Sequence, residues 1–274
     1  MDLGEGISLE LREPQRDSTS YPTHRIQRGL ILFHQGIDLS GEGVGFGVPV
    51  LKVRGDSVFP GSAEISRKEG AGTTTMTVDF ELNLVERFFL FGTKEMTLPF
   101  MYSLNNFLSR LHRQHSVTRG VISGGGKILK RLWKVKTRYV ERPALGAVRV
   151  TMTCRPDRSL VSVAADFSRF KTRDILEIAM MNEQSAYHFD RYEDSDGLRL
   201  EANAIGTWDE IIAGEAKMIA AREKLLFQLR KVEGARMFRG REAVPGRLAW
   251  SGIAHVFPGS RTFFDYEISL GSGK

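Results

Sequence analysis

The segment 132–205 constrains the fold most, because it alternates short strand-like runs with turns. The links between the runs are short and rich in Pro, Gly, Asp and Asn. Six runs occur, at Leu132–Glu141, Ala147–Cys154, Leu160–Phe167, Ile175–Asn182, Ala186–Tyr192 and Leu198–Ile205. Consecutive strands joined by short links are usually antiparallel neighbours. The spacing therefore predicts a meander of up to six strands, in a sheet wide enough to twist, curl or close.

Other parts of the chain also show strand periodicity. Val58–Ser66 and Thr73–Glu86 flank a polar, glycine-bearing link, and the second run alternates apolar and polar residues. Alternation of this kind is typical of a half-buried strand, so the two runs predict a hairpin. Leu248–Phe257 and Thr262–Leu270 predict a final pair of strands.

Two stretches have helical spacing instead. Apolar residues recur every three or four positions in Pro99–His115, and a second such run begins with the capping-box residues Thr207 and Glu210 and ends near Gly234. We therefore predict a mainly β (α+β) fold: a large antiparallel curved sheet or β-sandwich with two packed amphipathic helices. A chain of this length and pattern is expected to form a single domain, residues 1–274.

Composition excludes several classes of protein. With 41% hydrophobic and 26% charged residues, the chain can bury a core and should not be disordered. The single cysteine, Cys154, cannot form an internal disulfide and is expected to be a small buried hydrophobe. The sequence has no long apolar run and no signal-peptide pattern, so we expect a cytoplasmic protein without a membrane segment.

The stretch Gly29–Val53 concentrates the most unusual local chemistry, with His34, Asp38 and Glu42 among six glycines. A histidine and two carboxylates can perform acid–base chemistry when their pKa values are split by environment. The alternative is that the carboxylates are turn residues and the histidine ends a strand. The glycines also predict close approach of another backbone segment.

A second candidate group comprises His188, Asp190 and Glu193, of which His188 and Asp190 would share one face of a strand. A carboxylate there could orient the imidazole, and His34 or His255 across a sheet could complete the polar floor of a binding cleft. The alternative is a solvated hairpin end with a local His–Asp contact.

Positive charge is concentrated between Arg110 and Arg142, where ten Lys or Arg and one acid give 10 − 1 = +9, while the whole chain carries +6. Such asymmetry favours an anionic partner, although a solvated basic face is an alternative. The candidate binding residues are Lys127, Lys134, Lys136 and Arg138. Nucleic acid is a possible but less favoured ligand, because the aromatic residues of this strand would lie on the face opposite the cations.

Seven residues, GFGVPVL at 45–51, resemble a segment of sugar-mutarotase-like sandwiches, but the match is too short to assign a family. We favour the hypothesis of a carbohydrate-active or other small-molecule enzyme or binding protein with a polar cleft. The alternative is a noncatalytic module that binds a polyanion or an acidic partner through 110–142. The sequence predicts no metal site and specifies neither cofactor, substrate, reaction nor oligomeric state.

Overall fold

A computed structural model describes residues 1–14, 25–53, 56–70, 72–91, 94–95, 136–170, 175–206, 208–244 and 247–272. Within these ranges, twenty strands join into one antiparallel network, which confirms the prediction of a mainly β protein with a large antiparallel sheet. The strands are β1 Asp2–Gly4, β2 Ile7–Leu11, β3 Leu30–His34, β4 Ile37–Asp38, β5 Gly45–Val53, β6 Asp56–Gly70, β7 Thr73–Leu90, β8 Lys94–Glu95, β9 Lys136–Glu141, β10 Ala147–Arg155, β11 Leu160–Asp166, β12 Ile175–Ser185, β13 Arg191–Asp194, β14 Arg199–Glu201, β15 Asp209–Ile211, β16 Glu215–Ala220, β17 Leu225–Arg230, β18 Arg236–Val244, β19 Arg247–Pro258 and β20 Phe263–Ser272. Two short 3-10 turns lie at Pro156–Arg158 and Ala202–Ala204.

The network has two limbs. The first limb runs β15–β18–β19–β12–β5, and the second runs β14–β13–β16–β17–β20–β11–β10–β7. Strand β6 pairs with β5 at residues 56–58 and with β7 along its length, so it joins the limbs. Strands β1 to β4 extend the first limb from the start of β5.

The two limbs pack face to face. The ring of Phe46 in β5 meets that of Phe227 in β17 edge-on, with centroids 5.2 Å apart. Further along, Phe257 in β19 stacks on Phe264 in β20 at 3.7 Å. Because these strands belong to different limbs and do not pair with each other, their side chains form the core of a sandwich.

The predicted helix from Thr207 to Gly234 is wrong. Residues 209–230 form β15, β16 and β17, and the last two make a hairpin. Its most deeply buried side chains, each at most 2% exposed, alternate: Ala216, Met218 and Ala220 on one strand and Leu225, Phe227 and Leu229 on the other. This period of two matches a sheet, and Lys224 makes the turn with a positive φ of 53°. The other predicted helix, Pro99–His115, lies outside the described residues, and no helix within them has the length and apolar character to cross a membrane.

The predicted meander is only partly correct. The hairpins β6–β7 and β10–β11 are confirmed, but β11 pairs next with β20, and β12 pairs with β5 and β19. The predicted strand Ala186–Tyr192 starts only at Arg191, after a turn. A short link can join neighbours in one layer or carry the chain to the facing layer, and link length alone does not distinguish the two.

Candidate functional site

The glycine-rich bend before β5 lies directly against the end of β12. A Cβ on Gly43 would stand 2.8 Å from the carbonyl oxygen of Glu183, and one on Gly41 would stand 2.7 Å from Ser185 Oγ. Only glycine permits this spacing, so the predicted close approach of another segment is confirmed.

Arg28 fixes the shape of this bend. Its guanidinium donates from Nη2 to the Gly41 carbonyl at 2.6 Å and to Ser40 Oγ at 3.2 Å, and from Nε to the Gly43 carbonyl at 3.0 Å. Burial lowers the pKa of Arg28, and the nearby carboxylates, among them Glu183, act in the opposite direction. The bend therefore presents a partly desolvated cation beside acidic side chains.

Glu183 is a buried carboxyl group on the outward face of β12, with only 4% of its surface exposed. The Val44 amide donates to its Oε2 at 3.3 Å. The pKa of Glu183 is raised to about 8, chiefly by burial; Glu242 acts in the same direction, whereas the Val44 hydrogen bond and Arg28 oppose the increase. A carboxyl group with such a pKa is largely protonated at neutral pH and can donate a hydrogen bond or a proton.

Two tryptophans lie beside this carboxyl group. Glu183 pairs with Gly252 in β19, and Trp250, two residues earlier, lies on the same outward face. The indole of Trp250 donates from Nε1 to Glu242 Oε2 at 3.1 Å, and Trp208 stacks on Trp250 with centroids 4.9 Å apart. Glu183, Glu242, Trp208 and Trp250 are called the acid–tryptophan face below.

Trp208 is held in an unusual conformation. Its φ of 57° lies in the left-handed region, which is costly for a bulky residue. Its ring stacks on Trp250, and the residue as a whole is partly exposed. Strain of this kind at a partly exposed aromatic residue is a reason to look for function there.

The predicted group His34, Asp38 and Glu42 divides into different environments. Asp38 forms an ion pair with Arg12, Oδ2 to Nη1 at 2.7 Å, and accepts the Ser40 amide at 2.8 Å, as a turn residue does. His34 ends β3 and is partly buried. Glu42 lies in the bend, close enough to Arg28 to raise its pKa. The acid–base roles of His34 and Glu42 stay predictions.

His188 is oriented by a carboxylate other than the predicted one. Its Nδ1 lies 2.6 Å from Glu223 Oε1, and both side chains are 15% exposed. Asp190 has its buried Oδ1 without a hydrogen-bond partner and lies near Arg241. Glu223 is 35 residues away along the chain, in the turn that the sequence assigned to a helix, so sequence spacing gave no signal for this pair.

His255 belongs to the core between the limbs. It is fully buried, its ring lies 4.8 Å from that of Tyr266, and its Nε2 hydrogen-bonds the Arg230 carbonyl at 2.8 Å. Burial lowers the pKa of His255 to about 4, so the ring is neutral at physiological pH. A role in ligand binding would require the core to open, and stays a prediction.

The basic segment is described only at its end. Lys127 and Lys134 lie outside the described residues, and Lys136 begins β9. Arg138 is exposed, and its guanidinium lies 5.1 Å from the ring centre of Phe89. Binding of an anionic partner here stays a prediction.

A cavity of about 380 Å³ opens elsewhere, near the junction of β5, β6 and β7. Val58, Leu82 and Leu145 contribute to its apolar wall. On its polar side, Arg87 is paired with Asp56 at 2.6 Å and with Glu95 at 3.1 Å. Because these charged groups are paired with one another, this cavity is a weaker candidate for a ligand site than the acid–tryptophan face.

Sequence reasoning missed the centre of the acid–tryptophan face. The predicted strand stops at Asn182, and Glu183 to Ser185 fall in the predicted link that follows it, yet they form the buried end of β12. The available signal was a run of four polar residues directly after an apolar strand, a pattern that also fits a turn. Glu242 falls between the predicted helix and the final predicted pair of strands, but it lies within β18.

No protein-family model matches the sequence, and neither does any curated protein sequence. Among solved structures, the chain is similar to the α-N-acetylgalactosaminidase NagBb from Bifidobacterium bifidum. Its complex with Gal-NHAc-DNJ matches with a TM-score of 0.52 and its complex with GalNAc with 0.53, both at 9% identity. The matches cover 97% and 98% of this chain but only 35% of NagBb, about a third of its length. At this identity the likeness concerns the fold alone.

Proposed function

We propose that this chain is a carbohydrate-binding β-sandwich and that the acid–tryptophan face is its sugar site. The observation that carries the proposal is the partly exposed residue Trp208, whose ring stacks on Trp250; the indole nitrogen of Trp250 in turn donates to Glu242. The C–H face of a pyranose is apolar and packs on an aromatic ring, while its hydroxyl groups need polar partners. An aromatic platform beside carboxyl groups offers both.

The two acids complement each other. Glu183 is protonated at neutral pH and can donate, while the carboxylate of Glu242 accepts. Since a sugar hydroxyl both donates and accepts, such a pair can bind one hydroxyl from two sides. The sandwich fold shared with a carbohydrate-active enzyme also supports the proposal.

The test is the replacement of Trp208 by alanine. We expect wild-type protein to bind a monosaccharide in a calorimetric panel of galactose, glucose and their N-acetylamino derivatives, and Trp208→Ala to weaken that binding about tenfold or more, because the platform is lost. Phe263→Ala is the matched control, since Phe263 is an exposed aromatic residue on β20. Absence of wild-type binding, or equal binding by Trp208→Ala in a folded protein, would contradict the proposal.

The same pair of acids would suit hydrolysis, because glycosidases use one protonated and one ionised carboxyl group. If the protein is an enzyme, Glu183→Gln should abolish turnover of the bound sugar's aryl glycoside while binding persists. Turnover that survives in Glu183→Gln would exclude Glu183 as the proton donor.

A further inference from the structure

A row of polar side chains crosses three strands on the inward face of the first limb. Gln184 in β12 pairs with Ser251 in β19, which pairs with Arg241 in β18. Asn182 lies on the same face as Gln184, and its Oδ1 accepts a hydrogen bond from Tyr266 of the second limb, so this face points into the sandwich. Gln184, Ser251 and Arg241 are called the buried donor row below.

Each member of the buried donor row has a polar atom without a hydrogen-bond partner. These atoms are Gln184 Nε2, Ser251 Oγ and Arg241 Nε. The residues are 0%, 0% and 8% exposed, so bulk solvent does not satisfy them. Neighbouring strands lie about 4.8 Å apart, which brings side chains in one cross-strand row within reach of a single small ligand.

The turn 186–190 closes this end of the sandwich. Phe189 packs edge-on against Phe227 of the second limb, with centroids 5.1 Å apart, and the Ala186 carbonyl accepts from Arg241 Nη2 at 3.0 Å. Asp190 contributes one unpartnered buried oxygen. Among these unpartnered atoms, Gln184 Nε2 and Arg241 Nε can only donate, Ser251 Oγ can donate or accept, and Asp190 Oδ1 accepts.

We propose that the buried donor row binds a small monovalent anion, a halide or the carboxylate of a small acid. An anion can accept from all three donors at once, and the buried guanidinium of Arg241 carries a positive charge that attracts it. The site lies on the face of the sheet opposite the acid–tryptophan face and is independent of sugar binding.

Bromide is a suitable probe, because its anomalous scattering distinguishes it from water. Crystals grown in sodium bromide should show an anomalous peak within hydrogen-bond distance of Arg241 Nε and Ser251 Oγ. A site filled by water alone in these crystals would overturn the proposal.

In solution, replacing sodium gluconate by sodium bromide at constant ionic strength should raise the thermal midpoint of the wild type. Ser251→Ala should weaken the apparent bromide affinity about tenfold, because one of three donors is lost. Gln184→Glu supplies a carboxylate inside the row and should make the midpoint insensitive to bromide. Arg199→Gln is the control, since its side chain is 80% exposed, and should respond like the wild type. A folded Ser251→Ala that responds fully would overturn the proposal.

Discussion

Glu183 couples folding to pH. Its pKa is about 8 in the folded protein, against an ordinary value of 4.5. Between these values the folded state binds more protons than the unfolded state. The contribution of Glu183 to stability is therefore fully present below about pH 4.5 and declines as pH rises towards 8. We predict that the free energy of unfolding falls by at most about 1.4 kcal/mol per pH unit in this range. Glu183→Gln should remove this dependence, and urea unfolding at a series of pH values measures it.

The control for this prediction is Glu201→Gln, because the side chain of Glu201 is 76% exposed. This variant should keep the wild-type slope. If Glu183→Gln kept the same slope, the carboxyl group responsible would be a different one.

The residues of the site were predictable only in part. Asp38 behaves as the turn residue that the sequence allowed, and the glycines of the bend admit a neighbouring segment as expected. His188 has an orienting carboxylate, but Glu223 supplies it. Pairs of this kind depend on which turns meet in space, and local spacing contains no information about distant turns.

Among the elements, the hairpin β16–β17 contributes a central part of the core. Phe227 contacts Phe46 of the first limb and Phe189 of the closing turn. We predict that Phe227→Ala lowers the free energy of unfolding by about 3–5 kcal/mol, because it leaves a cavity between the limbs. Chemical denaturation measures the change.

Gln228→Ala is the matched control, since Gln228 is the next residue of β17 and its partly exposed side chain points to the other face. This substitution should lower the free energy of unfolding by about 0.5 kcal/mol or less. Equal costs for the two variants would mean that β17 does not pack as described.

The sequence around this hairpin fits two periods at once. The capping-box pattern and apolar residues at three- and four-residue spacing suggested a helix, while 216–218 and 227–229 each place a polar residue between two apolar ones, as a strand does. Packing decided between them, because a hairpin adds two strands to the second limb and buries alternate side chains against the first. Propensity is a weak signal when tertiary contacts oppose it.

At the scale of the molecule, one core cluster includes side chains from both limbs. We therefore predict that residues 1–274 unfold as a single cooperative domain, with coincident transitions by far-ultraviolet circular dichroism and tryptophan fluorescence. Ile253→Ala in the first limb and Val163→Ala in the second should each move that one transition to lower denaturant concentration, since both residues are buried. Separate transitions, or a variant that shifts only one probe, would show that the limbs fold independently.

By itself, the sequence determined the β class, the hairpin β6–β7 and the strands β10 and β11, because alternation and turn residues act over a few positions. The tertiary structure decided which strands become neighbours, as in β11 with β20 and β12 with β5 and β19. It also decided the acid–tryptophan face, where Glu183, Glu242 and Trp250 come from three separate strands. Registers between distant strands are fixed by how two layers bury their apolar faces together, and that is a property of the whole chain.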